Sequence, residues 1–140
     1  MLLKILGIDP GGTTGVCCIQ VDDVQGHRIL ESCEISNIWK VKTGFSHCDV
    51  IVVESLVPHG KLTQGKIDQI KAIAIVESQA RFRGQNVIKW ITPEERGRVK
   101  KAPSKVVGTH AKDAFRVALA YALKEGLITQ DEAVTLSTEG

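Results

Sequence analysis

Two stretches of the chain run apolar and then stop at a carboxylate. Leu2 to Ile8, interrupted only by Lys4, leads into Asp9, and Val50 to Val53 leads into Glu54. Short apolar runs bounded by turn residues predict buried strands. Each of these two strands therefore ends in a charge that must be solvated, paired or bound to a cation, because burying it bare is too costly. After Asp9 comes Pro10-Gly11-Gly12-Thr13-Thr14-Gly15, a tight turn. Val16 to Val21 predicts a second strand, Asp22 to Gly26 a turn, and His27 to Ile35 a third strand. Three strands in succession with short connections predict an antiparallel meander. Ser36 to Asp49 holds Trp39, Val41 and Phe45 but is broken by Gly44, and reads as a loop with one helical turn.

The second half changes period. Thr63 to Phe82 predicts a long helix with Ile67, Ile70, Ile73 and Ala74 on the core face. Ala72, Ile75 and Val76 lie on other sides, which leaves a surplus apolar face for a partner subunit. Gly84 ends this helix, Asn86 to Ile91 predicts a strand, and Thr92-Pro93-Glu94-Glu95 a turn or short helix start. Thr109 is a good N-cap for a helix from His110 to Lys124, ended by Gly126. Beyond Ile128 the tail is polar, with a short helix near Asp131. Strands followed by helices, with fully apolar parallel strands, make an α/β domain.

The 140 residues suit a single domain, and 43% apolar with 24% charged residues is globular rather than disordered. No apolar run approaches membrane-spanning length, and the N-terminal run is too short for a signal peptide. No membrane partner is expected, and a cytoplasmic location is. Cys17, Cys18, Cys33 and Cys48 make no CxxC pair and no zinc pattern. They read as buried small hydrophobes in a reducing compartment. The net charge of +2 says little about partners, but its distribution says more. Arg96, Arg98, Lys100, Lys101 and Lys105 fall in one stretch without an acid, which reads either as a solvated loop or as a phosphate-binding strip.

If the Leu2–Ile8 and Val50–Val53 strands are parallel neighbours, about 4.8 Å apart, Asp9 and Glu54 lie side by side. Two carboxylates so placed repel unless a cation holds them. His110 and Asp113, three apart, share one face in the first turn of the last long helix. Asp9, Glu54, His110 and Asp113 converging on one sheet end suit hard divalent cations such as Mg²⁺ or Mn²⁺. Two such ions about 4 Å apart serve phosphodiester cleavage. Each residue has a structural alternative: Asp9 and Glu54 as turn and loop starters, Asp113 as an answer to the helix dipole, His110 as a structural histidine. The coincidence of all four positions favours the metal site.

Together, GIDPGGTTG (7–15), VVES (52–55), the long helix, WITP (90–93) and HAKDAFRVALAY (110–121) resemble, in order, the RuvC family of Holliday-junction resolvases. The resemblance spans about residues 1–125. It implies an RNase H-like (retroviral-integrase) fold, a mixed five-stranded sheet flanked by helices, over residues 1–126, with 127–140 as a C-terminal tail. It implies a homodimeric endonuclease, joined through the Thr63–Phe82 helix, that cuts four-way DNA junctions with two Mg²⁺ ions and leaves 5′-phosphate and 3′-hydroxyl ends. By its size the chain is similar to compact bacteriophage members. Asp9 would bridge both ions, and Glu54 and Asp113 would complete the two sites. His110, where members carry Asp or His, would ligate a metal or orient and deprotonate the attacking water.

Three departures bear on substrate choice. Ser36 to Asp49 is too short for the family's first full helix. The segment from Pro93 to His110 is short and lacks a Gly-x-Gly motif. Leu56 and Val57 stand where many members carry a junction-wedging aromatic. Flaps, Y-forks and other branched DNA are therefore expected substrates beside four-way junctions. An actin-like ATPase or sugar kinase shares the opening strand and glycine turn, but 140 residues cannot supply its two domains. A non-catalytic DNA-binding module on the same fold would gain nothing from the added acidic set.

Overall fold

A computed structural model describes residues 1–36, 48–55, 60–82, 84 and 88–139. Its elements, in order, are β1 (Leu2–Asp9), β2 (Thr14–Asp22), β3 (Arg28–Ile35), β4 (Val50–Glu54), α1 (Gln64–Phe82), β5 (Ile88–Ile91), α2 (Pro93–Gly97), α3 (Thr109–Lys124) and α4 (Gln130–Thr138). The predicted loop between Ser36 and Asp49, the Leu56-Val57 pair and the start of the Asn86–Ile91 strand fall largely outside the described residues.

The strands form one five-stranded sheet in the order β3-β2-β1-β4-β5. β1, β2 and β3 pair antiparallel, as the meander predicted, while β4 pairs parallel to β1 and β5 parallel to β4. Side chains alternate across the sheet, so each strand contributes to two cores. Ile5, Cys17, Ile19, Val50, Val52 and Ile91 share one core with α3. Leu6, Ile8, Val16, Cys18, Ile51 and Val53 share the other with α1. Helices thus cover both faces, and β2 is buried from end to end.

α3 lies very close to the sheet because small residues meet there. A side chain at Gly7 would overlap the Ala114 carbonyl and Ala118, and one at Gly15 would overlap the His110 carbonyl. The outer side of α3 is covered in turn by Val99 and Val106 and by Ile128, Ala133 and Leu136 of the C-terminal segment. α4 is opened by a capping box in which Thr129 Oγ1 accepts from Glu132 N at 3.2 Å and Glu132 Oε1 accepts from Thr129 N at 3.0 Å. Glu132 also meets His27 Nε2 at 2.7 Å, which ties α4 to the β2–β3 turn.

Three expectations need correction. α1 buries Ala72, Val76 and Ala80 against the sheet, while Ile70 is 46% exposed and Ala74 exposed. The small i, i+4, i+8 stripe seats the helix, so Ala72 and Val76, expected to be surplus, face the core, while of the expected core face Ile73 packs partly buried against it. The cap of α3 is not Thr109, which is already helical. Gly108 precedes it at φ 100°, without a side-chain cap, and the Glu34 carboxylate of β3 takes the His110 N–H at 2.8 Å instead. A Cβ at Gly108 would push that carboxylate aside, and the positive φ itself favours glycine there. Finally, Cys33 is exposed rather than buried, since β3 is the sheet edge; the four cysteines form no disulfide.

Candidate active site

The register of β1 and β4 sets the first two side chains. Ile8 stands opposite Val53 in a parallel ladder, so the next residues, Asp9 and Glu54, end their strands abreast. Asp9 has the parity of Ile5 and Gly7, and Glu54 that of Val50 and Val52; both therefore point to the α3 face. Gly15 pairs with Asp9 on one side and with Glu34 on the other. Its missing side chain lets the first turn of α3 come down onto the sheet edge. That turn carries His110 and Asp113.

His110 Nδ1 lies 3.0 Å from Asp9 Oδ2. Glu54 Oε1 accepts from Arg96 Nε at 2.7 Å, and Arg96 Nη1 lies 3.4 Å from Asp113 Oδ1. Arg116 Nη1 reaches the same Asp113 oxygen at 3.2 Å while its Nε donates to the Val99 carbonyl at 2.7 Å. Asp9 and Glu54 keep 18% and 20% of their side-chain surface, Asp113 29% and His110 46%, so the imidazole forms the open lip. Burial pushes the Asp9 carboxyl above the ordinary aspartate range; the His110 hydrogen bond opposes this, and the negative charges of Asp113 and Glu54 add to it.

All four predicted residues thus gather at one sheet end, as an Asp9–His110 pair beside a Glu54–Arg96–Asp113 bridge. Among the described residues, no three His, Cys, Asp or Glu side chains are grouped so as to hold an ion as they stand. The donor chemistry nonetheless fits a hard divalent cation: three carboxylates and an imidazole, with burial first and like charges after it raising the proton affinity of Asp9.

The sequence matches no family model and none of the curated proteins. Its structure does resemble solved ones. The Thermus thermophilus RuvC structure in complex with a Holliday junction substrate superposes with a TM-score of 0.70 at 15% identity, over 88% of this chain and 94% of that one. A second T. thermophilus RuvC structure gives 0.66 at 16% identity, over 91% and 98%. The chain has the RuvC fold.

On this RuvC fold the basic stretch divides. Arg96 is turned into the carboxylates. Arg98, Lys100 and Lys101 make no ion pair among the described residues; they line a cleft of about 220 Å³ floored by Leu119 and Leu123 and closed by α4. Lys105 lies 3.4 Å from Glu139. Two residues of the site escaped the sequence reading. Arg116 was detectable, since it stands three residues from Asp113 on one helix face. Glu34 was not, because only the pairing of β2 with β3 brings it beside α3.

Proposed function

We propose that the protein is a structure-selective endonuclease that resolves four-way junctions and other branched DNA by divalent-metal-dependent phosphodiester hydrolysis. The observation that carries this reading is Asp9 abreast of Glu54 at the sheet end, with His110 and Asp113 brought over them by α3, on a fold shared with a junction-bound RuvC.

Asp9, Glu54 and Asp113 would hold two Mg²⁺ ions, with Mn²⁺ able to replace them, and His110 would serve the attacking water. Bound there, the ions would neutralise charge on the phosphate and its leaving oxygen. The chain's own residues account for the rest. Asp9 keeps only 18% of its side-chain surface, and its hydrogen bond to Nδ1 would orient the His110 ring. With the Nδ1 proton donated to Asp9, Nε2 carries the lone pair and can take a proton from an attacking water. Water oxygen adds to phosphorus, the bond to the 3′ oxygen breaks, that oxygen takes a proton from solvent, and 5′-phosphate and 3′-hydroxyl ends result. Arg98, Lys100 and Lys101, and Lys105 less strongly, would hold flanking phosphates.

A four-way junction offers two symmetric strands, which a twofold enzyme matches. A homodimer through α1 is proposed, using the face the core leaves open, around Ile67, Ile70 and Ala74. No helix among the described residues is long and apolar enough to cross a membrane. The test is cleavage of labelled four-way, flap and linear DNA in Mg²⁺, with Asp9→Asn as control. Branch-selective cutting that Asp9→Asn abolishes supports the reading. Binding without cutting would leave only a DNA-binding module, and metal-independent cutting would overturn the chemistry.

A further inference from the structure

Arg96 lies where a nuclease of this kind would need room for a cation. Its guanidinium spans Glu54 and Asp113, at 2.7 Å from one carboxylate and 3.4 Å from the other. Among the described residues these are the only groups its side chain bonds. Arg116 also touches Asp113, but its anchor on the Val99 carbonyl makes it part of the frame. Arg96 has no such anchor. It projects from the five-residue helix α2, whose end is fixed by the Thr92–Glu95 capping box rather than by the Arg96 side chain. A guanidinium stays charged at any working pH, and its planar fork suits two carboxylates at once. Asp9, buried beside the pair, feels both their charges. Without a counter-cation, three carboxylates would repel across one small site.

We propose that Arg96 is the resident counter-cation of the metal-free site, and that a divalent ion enters by displacing it from Glu54 and Asp113. This rests on the metal-dependent reading above. Loading is then an exchange of cations. The fraction of molecules with Arg96 swung away scales the apparent metal affinity, and the Arg96 contacts hold the carboxylates together until the ion arrives. Removing the guanidinium therefore has opposite effects on two quantities: metal binds more tightly, and the metal-free protein becomes less stable. A purely structural arginine would change stability alone, or weaken metal binding with it.

The test uses the full chain without DNA. Mn²⁺ is titrated calorimetrically into wild type, Arg96→Gln and Arg96→Lys, and melting is followed with and without the ion. Arg96→Gln should bind Mn²⁺ at least about tenfold more tightly, a floor set by nearly full solvent screening of one competing charge at contact distance. Arg96→Lys should fall between, since a point charge cannot bridge both carboxylates. The Mn²⁺-induced rise in melting temperature should be larger in Arg96→Gln than in wild type. Equal or weaker binding by Arg96→Gln overturns the displacement while leaving the metal site standing. Absence of binding in both wild type and variants overturns the metal site and the displacement together. Should Arg96→Gln not fold, the Arg96→Lys comparison decides by the same criterion.

Discussion

Asp9 and His110, 101 positions apart in the chain, meet at 3.0 Å between Oδ2 and Nδ1. The contact joins the end of a central strand to the first turn of the helix packed over it. On the function proposed above it would give Asp9 two roles, as a cation ligand and as the group that fixes which imidazole nitrogen carries the proton. Asp9→Asn keeps the size but loses the charge. Cleavage of branched DNA should fall by at least about a thousandfold, since ligand and orientation fail together. Binding should persist or tighten, because one negative charge near the phosphates is gone. Single-turnover cleavage beside a binding titration in Ca²⁺ checks both; near wild-type cutting would remove Asp9 from the chemistry.

The same carboxylate predicts a pH dependence of stability. Burial and its acidic neighbours raise the Asp9 pKa in the folded state. Between the ordinary aspartate range and that raised value, the folded protein binds more protons than the unfolded one. The Asp9 contribution to stability therefore declines as pH rises through that window and stays unfavourable above it. Asp9→Asn should remove this dependence. In metal-free buffer at pH 7 it should melt at or above the wild-type temperature, and the difference should shrink toward pH 4. A variant that melts lower than wild type at both pH values would contradict this assignment.

The sheet and its two carboxylates were legible in the sequence because both strands, Lys4 apart, are apolar up to their last residue. A parallel pairing of two such strands then leaves little choice of register. The seating of α1 was not legible. Its middle is apolar nearly all round, so periodicity leaves the rotation undetermined, and packing chose the small stripe Ala72, Val76 and Ala80. The start of α3 was read one residue late. Thr109 has the right chemistry for a cap, but Gly108 and the distant Glu34 together outcompete it. The turn of Arg96 into the carboxylates was equally hidden, since charge spacing alone does not say which way a loop arginine points.

The corrected seating of α1 moves the test of dimerisation. Ile70, at 46% exposure, belongs to the open face, whereas Ile75 is half-buried. Ile70→Asp should dissociate the dimer at micromolar concentration, as a charge placed in an apolar interface goes unpaired. Folding should be kept. Sedimentation of wild type and variant, with circular dichroism as the control, reads this. A monomeric wild type would remove the α1 interface.

Gly15 and Glu34 share one consequence, the height and grip of the α3 N-terminus. Gly15→Ala inserts a methyl group where the His110 carbonyl stands. Overpacking at that point should cost about 1–3 kcal/mol and pull His110 off Asp9, so cleavage should drop more than stability does. Glu34→Gln retains an oxygen for the His110 N–H and should be nearly silent. Glu34→Ala frees that N–H and should cost about 1 kcal/mol with a lower cleavage rate at saturating DNA. Chemical denaturation combined with single-turnover rates distinguishes the two variants. Equal behaviour of Glu34→Gln and Glu34→Ala would show that the contact does not hold the helix.

The basic stretch can be dissected by the company each cation keeps. Lys100 and Lys101 pair with no acid among the described residues, whereas Lys105 lies 3.4 Å from Glu139. An unpaired lysine releases its full share of condensed counterions when it meets a phosphate. A paired one must first give up its carboxylate, and contributes less. Each lost contact to duplex DNA lowers the slope of log affinity against log salt by about 0.9. Lys100→Ala with Lys101→Ala should therefore flatten the slope by close to two such steps and weaken binding at low salt. Lys105→Ala should change it by clearly less than one. The cleavage rate at saturating DNA should hold in both variants, since none of these lysines touches Asp9, Glu54 or Asp113. Titrations of a four-way junction at several salt concentrations measure the slopes directly. An unchanged slope in the double variant would detach this surface from the DNA, and an effect of Lys105→Ala as large as that of the double would mean that the Glu139 pair does not restrain it.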